Sequence, residues 1–297
     1  MGTMETRSKS LGGVYAAVTN PKDEKNLVDG GALRRILRFL TDSGIRGFAL
    51  NGATGEYCLS GAADLAHLLE TAGKSLPADA SILCGIGAAD LRGVLENGRM
   101  ALAAGARAVL LPMPHFFPYE QHDLRAFCLE VAERLPIDIL LYNLPQFTSG
   151  LTAATVCDLI RECPPIKGIK DSSGFLGILR ALTHDLPGAV RLVGNDGVLP
   201  EALQEEVCDG VVSGVAGVCP ELVLPLFAEG GAWDAEAIRT LRAFIEKLDT
   251  VPVPWGLKWI AESRGLAPAR FNLPLSKLRV SQGNQLQAWF RTLQRQA

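Results

Sequence analysis

The sequence is poor in the residues that usually hold metals. Its four histidines, at 67, 115, 122 and 184, share no ligand spacing on one strand or helix face, so no metal site is expected. His67 and His122 fall in helical stretches and read as surface residues, while His184 closes a helix at its negative dipole end. No glycine-rich dinucleotide turn follows the first strand-like run, no phosphate-cradling P-loop is present, and no Ser/His/Asp signature appears. Basic residues never form a block, and with a net charge of −3 neither nucleic acid nor an anionic membrane is expected as a partner. Apolar runs stay short of membrane-spanning length and the N-terminus has no signal-peptide core, so a soluble, cytoplasmic protein is expected. The opening Met1-Gly2-Thr3-Met4-Glu5-Thr6 fits an N-myristoylation pattern, but nothing polybasic follows and it reads as a chance match.

Paired cysteine spacing is missing too. The seven cysteines, at 58, 84, 128, 157, 163, 208 and 219, form no C-x-x-C and mostly sit inside apolar patterns. Such a scattered, odd-numbered set reads as reduced core thiols. Cys58 stands apart because it lies close to a glycine-rich turn.

What the chain does have is apolar material in a regular rhythm. Of 297 residues 48% are apolar and 21% charged, enough for a large core and against disorder. Strand-like runs recur near 12–18, 46–50, 81–86, 107–112, 137–142, 166–170, 190–194 and 210–213. Helical patterns follow them near 29–43, 61–75, 89–104, 119–134, 152–163, 175–184, 197–206 and 219–228. Eight strand–helix units in unbroken series predict a (β/α)8 barrel. An open doubly wound sheet is the rival, and it would advertise the dinucleotide turn that is absent. Three more helical patterns, near 233–249, 255–264 and 284–296, predict a C-terminal helical extension. The expected division is a barrel over 1–230 and an extension over 231–297 packed on it.

In a barrel of this kind the chemistry sits at the C-terminal ends of the strands. The sixth strand ends in Lys170, within Gly168-Ile169-Lys170-Asp171-Ser172-Ser173-Gly174. A lysine there either snorkels to solvent or is kept buried at a desolvation cost. Burial makes chemical sense where a neutral amine is wanted, because at pKa 10.4 only roughly 1 amine in 2,500 is neutral at pH 7. Such an amine attacks a ketone and forms a Schiff base, an electron sink for breaking a neighbouring bond. The fifth strand ends in Tyr142-Asn143-Leu144-Pro145, placing a phenol on the neighbouring strand, where it could shuttle the proton of imine formation. The second strand ends in Asn51-Gly52-Ala53-Thr54-Gly55-Glu56, a turn whose backbone N–H groups suit a carboxylate or phosphate. Gly194-Asn195-Asp196 closes the seventh strand and could hold substrate hydroxyls. Gly210-Val211-Val212-Ser213-Gly214 leaves room over the mouth at the eighth.

The set of Gly52-Ala53-Thr54-Gly55-Glu56, Tyr142-Asn143-Leu144-Pro145 and Gly168-Ile169-Lys170-Asp171-Ser172-Ser173-Gly174 resembles the dihydrodipicolinate synthase / N-acetylneuraminate lyase family in order and spacing, and the resemblance runs over nearly the whole chain, Val253-Pro254-Trp255-Gly256-Leu257-Lys258 included. The resemblance implies a metal-independent, cofactor-free class I lyase. Lys170 would form the Schiff base with pyruvate or a 2-oxo acid that releases it, and Tyr142 would move the protons. The Ala53 and Thr54 amides and the Thr54 hydroxyl would hold the 2-oxo acid carboxylate, and the Val212 carbonyl would lie near the imine. Asp196, Ser172 and Thr148 are candidates for hydroxyl recognition, the first two by alignment with sugar-acid lyases. The partners implied are pyruvate and an aldehyde, in a homotetramer built from dimers that exchange the segment around Phe116.

The departures narrow the reading. Ala53 stands where many members carry a hydroxyl residue, and Phe116 where the synthases carry a tyrosine reaching from the neighbouring subunit. Tyr142 is thus expected to be the only phenol near the imine. The arginine with which the synthases grip a semialdehyde carboxylate is replaced within Gln146-Phe147-Thr148-Ser149, which disfavours the lysine-pathway synthase. The leading expectation is an aldolase that cleaves or forms a 2-oxo-3-deoxy sugar acid or a related 2-oxo acid. A dehydratase on the same imine, the synthase, and a barrel that binds a 2-oxo acid without catalysis are the alternatives. Ala53 and Phe116 favour the last of these; retention of both Lys170 and Tyr142 counts against it.

Overall fold

The computed structural model describes residues 11–228 and 235–294. Among them, strands β1 (Gly13–Ala17), β2 (Gly47–Leu50), β3 (Ser81–Gly85), β4 (Ala108–Pro112), β5 (Ile139–Asn143), β6 (Ile166–Asp171), β7 (Val190–Val193) and β8 (Gly210–Ser213) close into a barrel. Each pairs with its sequence neighbour in parallel, and β1 pairs with β8 to seal the ring. Helices α1 (Gly30–Asp42), α2 (Ala62–Ser75), α3 (Leu91–Ala103), α4 (Gln121–Arg134), α5 (Ala153–Glu162), α6 (Gly177–Asp185) and α7 (Leu199–Gln204) alternate with the strands. The expected (β/α)8 barrel is therefore what the chain forms.

Local signals fix the helix starts. The Asp29 carboxylate accepts from the Gly31 and Ala32 amides at 2.8 and 2.9 Å, and Asp90 and Thr152 cap α3 and α5 in the same way. These bonds satisfy amides that the first helical turn leaves without partners. Strand alternation then sorts the side chains into two sets. Tyr15, Leu83, Leu110, Leu140, Tyr142, Leu192 and Val212 fill the barrel interior. Phe48, Ile82, Val109, Leu141, Ile169 and Val211 point outward into the layer shared with the helices.

The eighth unit departs from expectation. Instead of a helix over 219–228, the chain makes two 3₁₀ turns, Pro220–Leu222 and Leu224–Phe227. Pro225 explains the break between them, since proline lacks the amide and clashes with the preceding turn, so the first segment cannot continue through it. The seventh unit likewise begins with a 3₁₀ turn, Asp196–Val198, ahead of α7.

Helices α8 (Ala235–Leu248), α9 (Val253–Ser263) and α10 (Lys277–Gln294) form the C-terminal extension. Phe244, Leu257, Ile260, Leu286 and Phe290 join the outer core layer, and Arg35 on α1 donates to the Leu266 carbonyl at 3.0 Å. The extension thus shares the barrel's core. The expected boundary at 230/231, the helix start at 233, the helix end at 296 and the N-terminal Met1–Thr6 pattern lie outside the described residues. No helix among those described is long and apolar enough to cross a membrane.

All seven cysteines are free, and Cys84, Cys128, Cys157, Cys163 and Cys219 are buried. Burial pushes the thiols of Cys84 and Cys219 up to about 12 and that of Cys208 up to about 11, so they carry almost no thiolate at neutral pH. Cys58 is exposed.

Gly168 shows how tightly the barrel wall closes beneath Lys170. A Cβ there would come within 2.0 Å of the Val190 carbonyl oxygen on the next strand. Gly168→Ala should therefore cost about 1–3 kcal/mol of stability, as overpacking does, read as a lower urea midpoint. An unchanged midpoint would contradict the packing described.

Candidate active site

Parallel pairing of β5 with β6 sets Tyr142 directly beside Lys170. Both belong to the inward set, so the alternation that builds the barrel also aims them at one another. The Lys170 Nζ donates to the Tyr142 hydroxyl oxygen at 2.8 Å and lies 3.9 Å from the ring centroid. Lys170 is 4% exposed and Tyr142 2%. The lysine does not snorkel to solvent. Its amine is held inside the barrel next to a group that can take or give a proton.

Gly194 and Ser172 confine the same amine. The Ser172 hydroxyl donates to the Gly194 carbonyl at 3.1 Å. A Cβ on Gly194 would stand 2.0 Å from the Ser172 Oγ and 2.8 Å from the Lys170 Cε. Only glycine leaves the lysine its room. One residue further along the strands, on the outward face, the Asn143 amide donates to the Asp171 carboxylate at 3.0 Å, and that carboxylate also accepts from the Ser173 amide at 2.9 Å. Asn143 in turn accepts from the Leu151 amide at 3.0 Å. This stitch fixes the two loops that leave the Lys170 and Tyr142 strands. Burial raises the Asp171 carboxyl above the ordinary carboxylate value, against the lowering by Ser173 and Asn143.

The glycine-rich turn after β2 lies at the same mouth. Ala53 packs against the inner cluster that contains Tyr142 and Val212. The turn closes through the Glu56 amide to the Ala53 carbonyl and the Tyr57 amide to the Gly52 carbonyl, a pattern that leaves the Ala53 and Thr54 amides out of its own bonds. Asn51 and Glu56, one at each end, both adopt φ of +54°, a left-handed conformation that asparagine takes readily and glutamate seldom. Asn51 donates to the Gly85 carbonyl at 2.8 Å and Asn20 to the Gly55 carbonyl at 2.7 Å.

Asp196 and Thr54 meet across Gly214. A Cβ on Gly214 would lie 3.7 Å from the Asp196 Oδ2 and 3.9 Å from the Thr54 Oγ1. The Asp196 Oδ2 accepts from the Val215 amide at 3.1 Å, while its Oδ1 is buried with no partner. Burial raises the Asp196 carboxyl above its ordinary value, with the Ser213 hydroxyl, the Val215 and Gly214 amides and the Lys170 charge acting the other way.

Lys170, Tyr142, Ser172, Ala53, Thr54, Val212 and Asp196 therefore gather at one end of the barrel. Thr148 stands differently: its hydroxyl donates to the Leu144 carbonyl at 3.1 Å, and its backbone bridges to His115 on the loop after β4. Its hydroxyl ties down the rim. Among the described residues no cluster of three or more metal-ligating side chains converges.

Two features escaped the sequence reading. Tyr57 is buried, and burial, followed by Cys58 and Tyr142, pushes its phenol far above the ordinary value. A second phenol thus lies near the site, where only one was expected: the point that a Cβ on Gly87 would occupy is 2.3 Å from the Tyr57 ring and 2.6 Å from Pro112, the residue paired with Tyr142. Its place directly after Gly55-Glu56 was the available signal. The other feature is a buried ion pair between Glu56 and Lys258, which no local pattern announces.

Phe116 and Phe117 lie on the loop after β4. They are 87% and 61% exposed, with their rings edge to face at 4.9 Å. Phe147, at 69% exposure, stands at the rim above β5.

The comparisons with known proteins cover nearly the whole chain. The profile of the Dihydrodipicolinate synthetase family matches residues 10–293. A 4-hydroxy-tetrahydrodipicolinate synthase of Thiobacillus denitrificans is 27% identical, over 94% of this chain and 96% of that one. One from Methanosarcina acetivorans is 28% identical, over 92% and 94%. Among solved structures, a dihydrodipicolinate synthase superposes with a TM-score of 0.85 at 25% identity, covering 95% of this chain and 99% of that one. The sialic acid aldolase of Ruminococcus gnavus shares the fold, with a TM-score of 0.83 at 18% identity over 96% and 98%. With its barrel closed, its lysine and phenol paired and nearly its full length matched, the chain belongs to the dihydrodipicolinate synthetase family, whose members are lyases of the class I, pyruvate-dependent aldolase type.

Proposed function

We propose that this protein is a class I aldolase in which Lys170 forms the imine with pyruvate, or with a 2-oxo acid that releases it, and Tyr142 moves the protons. The observation that carries the reading is the 2.8 Å contact between two buried groups, an amine and a phenol, on adjacent strands. The neutral amine attacks the ketone carbon, and the oxygen leaves as water once it is protonated. The protonated imine draws electrons from the neighbouring C–C bond; as that bond breaks, the fragment beyond it gives up its hydroxyl proton and leaves as an aldehyde, and the enamine is then protonated at carbon before water releases pyruvate from Lys170. Tyr142 is within reach of the nitrogen throughout, so it can supply and recover each proton. The imine is itself the electron sink, and the reading needs neither a metal nor a cofactor.

The carboxylate of the 2-oxo acid lies against the Ala53 and Thr54 amides and the Thr54 hydroxyl, with the Val212 carbonyl near the imine. Asp196 and Ser172 receive substrate hydroxyls; Thr148 shapes the rim. A dehydratase would share every step up to the imine. Phe147, where the synthases use an arginine, favours an aldehyde without a carboxylate at that end. The synthase is the competing reading, favoured by the names of the curated relatives. We also place the protein in the cytoplasm, on the support of its free, mostly buried thiols, and as a dimer of dimers, on that of its exposed Phe116 and Phe117.

Borohydride reduction in the presence of pyruvate should add the mass of the reduced adduct to the intact wild-type protein and add nothing to Lys170→Ala. Trapping in that variant, at Lys167 or elsewhere, would refute the assignment. Lacking the arginine's charge-assisted contact, worth about 2–3 kcal/mol, the enzyme should condense pyruvate with a neutral aldehyde better than with aspartate semialdehyde. A kcat/KM for the semialdehyde of about 10⁵ M⁻¹s⁻¹ or more would restore the synthase. Sedimentation should give a tetramer at micromolar concentration, and a monomer would remove the interface.

A further inference from the structure

Glu56 and Lys258 lie 202 positions apart, yet the Lys258 Nζ donates directly to the Glu56 Oε2. Their side chains are only 8% and 5% exposed. Apolar residues of similar size would stabilise such a contact as well or better, because both charges must be stripped of water. What a charge-assisted hydrogen bond adds is direction: it fixes one carboxylate orientation where an apolar contact would let the turn slide.

The turn needs fixing. It carries two non-glycine residues, Asn51 and Glu56, at φ of +54°, and each is held by a side-chain bond. Asn51 is tied to Gly85 at 2.8 Å and Glu56 to Lys258, while Asn20 clasps Gly55 from the β1 side at 2.7 Å. The helix that supplies Lys258 also reaches the site itself. The Leu257 Cδ1 would be 3.1 Å from a Cβ on Gly214, the same point that lies 3.7 Å from Asp196 and 3.9 Å from Thr54. Helix α9 thus backs the corner where Thr54 and Asp196 meet.

We propose that Lys258 is a positioning residue for the 2-oxo acid: its ion pair with Glu56 holds the turn that aims the Ala53 and Thr54 amides into the barrel mouth. The proposal rests on the reading of Lys170 as the imine-forming lysine and extends it to the C-terminal helices. Lys258 touches no reacting atom, so its loss should weaken capture of the carboxylate without removing the nucleophile.

Borohydride trapping titrated with pyruvate tests this on the intact chain. Lys258→Met should raise the pyruvate concentration at half-saturation by about 10- to 100-fold, the effect of misplacing a binding group by roughly 1 Å. The extent of trapping at saturation should match the wild type, and Lys258→Arg should recover most of the loss. Gln287→Leu serves as the control. Gln287 donates to the Trp259 carbonyl at 3.1 Å, so this variant should weaken the α9–α10 contact and lower thermal stability while leaving half-saturation unchanged. Should Lys258→Met fail to fold, Glu56→Gln, which keeps the shape and removes the charge, carries the same expectation. Half-saturation within about twofold of the wild type in the folded variant, or an equal rise in Gln287→Leu, would overturn the proposal alone. A wild-type protein that traps no pyruvate would overturn the imine reading and the proposal with it.

Discussion

A primary amine held in a barrel interior has little contact with water and must find a polar partner there or bear the cost of desolvation. Here the Lys170 amine meets the Tyr142 phenol at 2.8 Å, and much of the mouth is arranged around that contact. It needs β5 and β6 in one register, since a slip of β6 by a single residue would turn Lys170 into the helical layer and away from Tyr142. It needs glycine at 194, where any side chain would strike the Lys170 Cε and the Ser172 hydroxyl. It needs the outward stitch of Asn143 to Asp171 to stop the two strand ends from fraying into their loops.

The C-terminal helices enter this economy from the far end of the chain. Removing one partner of a buried pair such as Glu56–Lys258 leaves an uncompensated charge, at a typical cost of about 3–5 kcal/mol. Such a pair couples the site's geometry to the packing of α9 on the barrel, and Leu257 brings the same helix against the Thr54–Asp196 corner. The extension is therefore part of the wall behind the site, as well as a cover for the outer core.

Much of this was legible in the sequence for physical reasons. Each strand must be apolar to sit inside a closed sheet, so β8 was expected at 210–213 and is found at Gly210–Ser213. A lysine ending such a strand conflicts with its surroundings, and conflicts of that kind mark functional sites. Less legible was whatever depends on distance along the chain or on a breaker within a pattern. The apolar spacing over 219–228 suited a helix, but Pro225 interrupts it and two 3₁₀ turns form instead. Helix α10 begins at Lys277, ahead of the expected 284, because its first turns are largely exposed and carry little apolar periodicity. Tyr57 sat in plain view beside the glycine-rich turn, but its neighbour Tyr142 comes from another strand. The Glu56–Lys258 pair joins segments 202 positions apart, and only the closed barrel brings them together.

The account turns on an enamine formed at Lys170 with protons handled by Tyr142, and its chemistry can be watched without knowing the second substrate. An enamine exchanges the methyl protons of pyruvate with solvent, so proton NMR in deuterium oxide reports its formation directly. The wild-type protein should wash out the pyruvate methyl signal. Tyr142→Phe should do so about 10²–10⁴ times more slowly, the usual effect of losing a general acid–base, and Lys170→Ala should not accelerate exchange at all. A wild-type protein that leaves the methyl signal intact, or a Lys170→Ala variant that exchanges as fast as the wild type, would contradict the account.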